Sequence, residues 1–193
     1  MPEDYEYDVF FSYRREKLIE DWIVQVVQRL ELWLTQELGG RPATIFFDRD
    51  SVDVGDRWPD KLREALRASR CMVCIWSPSY FQSRWCVSEW RSFLERERSL
   101  GLDTHGLIAP VKFHDGEYFP PEAASVQWAD FSLYTATVRA FWDSQRAVEF
   151  DPILKGFAQS VAAVVRRAPP FRPDWPAVEA EPLPPPAVAL RRL

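Results

Sequence analysis

Glycine is scarce in this chain, and its seven residues form neither G-x-x-x-x-G-K-[ST] nor G-x-G-x-x-G. That excludes the two loops that cradle nucleotide phosphates on backbone amides, so any bound nucleotide has to be held by side chains. Histidine is scarcer still. His105 and His114 flank one apolar run, and without an H-x-x-x-H pattern or a Cys/His ligand set no metal is expected. The three cysteines are too few and too scattered for a disulfide framework. Cys71 and Cys74 form a C-x-x-C, but inside a run of strand composition they face opposite sides, which argues against zinc or a redox pair. No apolar stretch reaches the about 20 residues that a membrane span requires, and the acidic start Met1-Pro2-Glu3-Asp4-Tyr5 has no apolar leader. A cytoplasmic chain with reduced thiols and no membrane partner is expected.

What is present is aromatic and balanced in charge. Aromatic residues make up 15% of the chain, and 24 basic residues are interspersed with 29 acidic ones for a net charge of −5, which disfavours nucleic acid as a partner. The 193 residues suffice for one well-cored domain. From Pro169 onward the chain carries half of its sixteen prolines, so 168–193 is expected to be an extended or disordered tail.

Strand-like and helix-like periods alternate. Asp8 to Tyr13 is a predicted first strand, and apolar residues from Ile19 to Leu34 recur at three and four, predicting a helix that stops near Gly39-Gly40. Ala43 to Phe47 is a predicted second strand, followed by the charged loop Asp48 to Arg57. Trp58-Pro59 opens a helix with Leu62, Ala65 and Leu66 inward. Cys71 to Trp76 is a predicted third strand, Gly106 to Phe113 a fourth and Ser125 to Phe131 a weaker fifth. Asp151-Pro152 is predicted to cap a last helix. Alternation without tight hairpins implies parallel strands joined by right-handed crossovers.

One carboxylate stands out. Ser83 is the predicted N-cap of a helix on which Trp85, Cys86, Trp90, Phe93 and Leu94 share a face. Glu89 falls inside that apolar arc, while Glu95 lies opposite and Glu97 near its edge. Either Glu89 is a satisfied rim residue or it is an acid held in a pocket beyond the carboxyl end of a strand, where open parallel sheets bind ligands. Hydroxyls at Ser77, Ser79 and Tyr80 and the rings of Trp76, Trp85 and Trp90 surround it in sequence and favour the pocket. Core packing is the simpler account of Trp76, Trp90 and Cys86.

These residues resemble the TIR (Toll/interleukin-1 receptor) domain family over about Tyr7 to Arg167, with 1–6 as an N-terminal extension. Asp8-Val9-Phe10-Phe11-Ser12-Tyr13-Arg14-Arg15 is similar to the family's first box, Asp48 to Trp58 to its BB loop, and Ser77-Pro78 with Ser83-Arg84-Trp85-Cys86-Val87-Ser88-Glu89 to its third box. The resemblance, nearest to bacterial stand-alone members, implies an α/β flavodoxin-like fold of five parallel strands with helices on both faces. It implies either cleavage of the nicotinamide–ribose bond of NAD, with Glu89 as the catalytic glutamate, or a non-catalytic TIR–TIR scaffold.

The Arg14-Arg15 pair, Trp85 and Trp58 resemble the catalytic members. On that reading the substrate-binding set is Ser12, Tyr13, Arg14, Arg15, Trp58, Ser77, Tyr80, Trp85 and Cys86, with NAD as substrate and no resident cofactor. An aromatic such as Trp85, Trp76 or Tyr80 would stack on a base, and an arginine would meet the pyrophosphate. Asp48, Arg49, Asp50 and Gly55 would belong to a loop that docks on a neighbouring copy. A triggering partner or downstream effector, and a role in anti-phage defence, complete what the resemblance implies.

Overall fold

The computed structural model describes residues 4–48, 60–101, 106–114, 116–124 and 126–180. Five strands, β1 (Tyr7–Tyr13), β2 (Ile45–Phe46), β3 (Ser69–Trp76), β4 (Ile108–Lys112) and β5 (Ala129–Asp130), form one sheet in the order β2-β1-β3-β4-β5. Every pairing is parallel. Between them run α1 (Glu20–Glu37), α2 (Asp60–Arg67), the single turn α3 (Pro78–Phe81), α4 (Arg84–Leu100), the short α5 (Pro121–Ala124) and the closing α6 (Gln145–Arg166). The chain steps one way from β1 to β2 and the other way from β3 to β4. Uniform right-handed crossovers therefore place α1 on one face and α4 on the other. This is the flavodoxin-like order, and its reversal point lies between β1 and β3.

The central strands are apolar throughout because both faces are covered. Val9, Phe10, Cys71, Met72, Val73 and Cys74 are all essentially inaccessible. Helix α1 presents Trp22, Ile23, Val26, Leu30 and Leu34 to the core and ends as its sequence predicts, with Gly39 and Gly40 both at positive φ. Trp22 packs edge-on to Phe113 and stacks near Phe150 of α6, and its indole N–H donates to the Tyr134 carbonyl at 2.8 Å.

Three predicted elements differ in extent. The edge strands are shorter than their apolar runs: only Ile45–Phe46 and Ala129–Asp130 join the ladder, which limits exposed strand edge. Helix α6 starts at Gln145, with Ser144 at its N-cap, so Asp151-Pro152 is interior rather than a start. Phe150 explains this, being buried among Trp22, Phe131 and Tyr134, which extends the apolar stripe before the proline. The carbonyl that Pro152 leaves without a donor is that of Val148, an exposed position where water can serve it.

The proline-rich stretch beyond α6 is not free. Residues 171–180 have neither helix nor strand, yet Trp175 is 1% exposed, so this part is packed coil. Among the described residues no helix is long and apolar enough to cross a membrane.

Candidate active site

The last residues of β1 and the first turns of α4 meet at the carboxyl edge of the sheet, where the strand order reverses. Ser83 caps α4, its hydroxyl accepting from the Cys86 amide at 3.4 Å, and the next turn carries Glu89 inward over the end of β1. A cavity of about 290 Å³ opens there, lined by Ser12, Tyr13, Arg14, Arg15, Asp48, Ser83, Trp85, Cys86 and Glu89 among others. That is the small end of the range for ligand pockets.

Glu89 is 7% exposed. The Ser12 hydroxyl donates to its Oε2 at 2.5 Å, and Ser12 Oγ lies 2.9 Å from Tyr80 Oη, which donates to the Cys86 carbonyl at 3.1 Å. Burial pushes the Glu89 carboxyl up to about 7; the Ser12 hydrogen bond and the Arg15 charge oppose this, and Asp48 adds to it. The carboxyl therefore changes charge near neutral pH.

Arg15 supplies the positive side of the cavity. Its Nη2 donates to Asp48 Oδ2 at 2.7 Å and to the Asp48 carbonyl at 3.1 Å, while its Nη1 is buried and has no hydrogen-bond partner among the described residues. A buried guanidinium N–H without an acceptor suits an anionic ligand. Arg14 lines the cavity and is exposed, and Arg84, outside the lining, lies over the Trp85 ring at 4.7 Å.

The structure thus brings Ser12, Tyr13, Arg14, Arg15, Asp48, Trp85, Cys86 and Glu89 to one cavity. It corrects the sequence reading for two residues. Ser77 lies outside the lining and caps α3, its hydroxyl accepting from the Tyr80 amide at 3.2 Å. Tyr80 is wholly buried, so its ring cannot stack on a base; the α3 turn points it inward, where its hydroxyl braces Ser12. Trp76 is likewise fully buried, in edge-on contact with Trp90. Arg49, Asp50, Gly55 and Trp58 lie outside the described residues. Sequence reasoning missed Phe10, Phe11, Phe46 and Leu62 as lining residues; position at a strand end or on the following helix was their only signal.

Cys86 is buried, its thiol is raised by desolvation, and it donates to the Tyr13 carbonyl at 3.5 Å, so it packs rather than reacts. Among the described residues no group of His, Cys, Asp and Glu is arranged to hold a metal ion.

A parallel sheet of this order, with a mixed-charge cavity at its reversal point, defines a domain of the flavodoxin-like α/β class. More particularly, the chain belongs to the TIR domain family, whose model matches residues 9–142. Among curated relatives, the disease resistance protein RPV1 of Vitis rotundifolia is 28% identical over 114 residues, 59% of this chain and 7% of that protein. The probable 2′ cyclic ADP-D-ribose synthase BdTIR of Brachypodium distachyon is 28% identical over 81 residues, 39% of this chain and 36% of that protein. The chain therefore spans a minor part of these relatives. Among solved structures, the TIR domain of the Toll-related receptor TRR-2 of Hydra magnipapillata is 17% identical, with 76% of this chain and 98% of that one covered and a TM-score of 0.46.

Proposed function

We propose that this chain is an NAD-cleaving TIR enzyme that breaks the nicotinamide–ribose bond. The observation that carries the reading is the Glu89 carboxyl, buried at the cavity wall, held by Ser12 and sharing that cavity with the Arg15 guanidinium, whose Nη1 has no partner among the described residues. The similarity to a relative named as a probable cyclic ADP-ribose synthase supports it.

The chemistry needs little more. Nicotinamide leaves as a neutral molecule, taking the electron pair of the C–N bond, so no acid is required to expel it. The difficulty is the positive charge left on the ribose carbon, which an ionised Glu89 stabilises best where water is excluded. The same carboxylate can accept a hydrogen bond from a ribose hydroxyl. Arg15 and Arg14 would bind the diphosphate, and the Trp85 ring would take a base against its face.

Addition of water to the ribosyl cation gives ADP-ribose and a proton; addition of a nitrogen or hydroxyl of the same molecule, likewise with loss of a proton, gives a cyclic isomer. NAD is substrate here, not a resident cofactor. On this reading the domain works inside the cell, self-associates through TIR–TIR contacts, and produces a signal or an NAD loss suited to anti-phage defence.

The test is chromatography of purified protein with NAD at high enzyme concentration. Free nicotinamide should appear with wild type and fail to appear with Glu89→Ala of unchanged circular dichroism. Intact NAD in the wild-type reaction, with the protein assembled, would leave the non-catalytic scaffold standing instead.

A further inference from the structure

Residues 171–180 contain Pro173 and Pro176 on either side of Asp174-Trp175. Both prolines hold their own φ and push the preceding residue toward extended backbone, so the segment loses little chain entropy on docking. It runs along α4 antiparallel to it. Trp175 lies beside Arg96 in the C-terminal part of the helix, and Val178 lies beside Ser92 and Ser88, the latter next to Glu89 in sequence.

Val178 gives both of its backbone polar groups to α4. Its N–H donates to the Ser92 hydroxyl at 2.8 Å, the Ser92 hydroxyl donates to the Ser88 carbonyl at 2.8 Å, and the Ser88 hydroxyl donates to the Val178 carbonyl. Two serines one turn apart thus close a ring of hydrogen bonds around one residue of the segment.

The other side of the segment holds α2. Arg67 Nε donates to the Trp175 carbonyl at 3.0 Å, and Arg63 pairs with Glu179 at 3.8 Å. Between the two helices lies Arg96, fully buried, donating to the Leu66 carbonyl at the end of α2 and to the Ser69 carbonyl. The Trp175 indole closes over its guanidinium at 4.9 Å and ties back to Tyr5 through its ring N–H at 3.1 Å. Helix α2 contributes Leu62 to the cavity and α4 contributes Glu89, so the segment joins two of its walls from behind.

We propose that Phe171–Glu179 is a clamp that sets α4 against α2 and so positions Glu89, making Trp175, Ser88 and Ser92 positioning residues of the NAD cleavage proposed above. None of the three lines the cavity, so the clamp acts through the placement of the helix rather than through substrate.

The test uses the full chain with three changes: Ser88→Ala together with Ser92→Ala, Trp175→Ala, and Trp175→Phe. Amide hydrogen exchange is followed by mass spectrometry over α2, the first turns of α4, β1 and β3, and NAD cleavage is measured beside it. In the double serine variant, exchange in residues 60–67 and 84–92 should quicken together by about tenfold, while β1 and β3 stay protected. Its kcat should fall by about ten- to a hundredfold with KM within about twofold, as expected for a misplaced catalytic group.

Trp175→Phe, which keeps an aromatic face over Arg96, should retain most of the protection that Trp175→Ala loses. Faster exchange confined to residues 171–179, or a kcat loss equal to the unfolded fraction, would overturn the clamp. Should wild type leave NAD intact, the proposed reaction falls, and the exchange pattern alone still decides whether the segment couples the two helices.

Discussion

Replacing Glu89 by glutamine should remove the proposed activity and at the same time stabilise the fold, by an amount that depends on pH. The carboxyl is held at about 7 by burial against an ordinary value of 4.5. A raised acid favours the protonated native state, so this group contributes stability below 4.5 relative to high pH and loses it as pH rises through about 7. At about 1.36 kcal/mol for each pH unit between those two values, the ionised carboxylate costs the native state about 3 kcal/mol above pH 8. Glutamine has the same shape, keeps a carbonyl for the Ser12 hydroxyl and carries no charge. Glu89→Gln should therefore be about 2–3 kcal/mol more stable than wild type at pH 8, and about equal to it at pH 4.5.

Urea unfolding of both proteins at several pH values between 4.5 and 8.5 measures the difference, which should also appear as a Tm gain of about 2–4 °C per kcal/mol. A loss of stability at pH 8, or a difference independent of pH, would refute the claim that burial and not an ion pair dominates at this carboxyl. Either result would show that Arg15 compensates Glu89 more fully than the geometry indicates.

Other consequences are checked more briefly. Ser12→Ala removes the hydrogen bond that favours the ionised form, so the acidic limb of the pH–rate profile for NAD cleavage should move to higher pH while the limiting rate at alkaline pH is less affected. Arg96→Ala leaves the Leu66 and Ser69 carbonyls without a donor and opens a cavity under Trp175; chemical denaturation should show a loss of about 3–5 kcal/mol, and Arg96→Lys should restore little because one ammonium cannot reproduce the planar fork. Cys71, Cys74 and Cys86 are buried and their thiols are raised by desolvation, so iodoacetamide at pH 8 should label native protein at no more than trace level and label urea-unfolded protein at all three.

Local pattern alone determined much of this molecule. The alternation of strand and helix periods specified a parallel sheet with crossovers. The stop at Gly39-Gly40, the Ser83 cap and the inward place of Glu89 on α4 were all legible, because each depends on residues within one or two turns of one another. Tertiary structure decided the rest.

Nothing within the sequence Ser77 to Tyr80 says that the ring at Tyr80 turns inward to brace Ser12, a residue 68 positions earlier. The proline-rich stretch looked like an unattached tail because composition reports how little a segment can bury by itself, not whether a distant helix offers it a seat. Trp175 found that seat beside Arg96, and Phe150 extended α6 back past Pro152 for the same reason. Periodicity encodes which side of an element is apolar. Which remote surface covers that side, and therefore how far a buried group such as Glu89 is moved from its ordinary ionisation, is settled only when the elements pack.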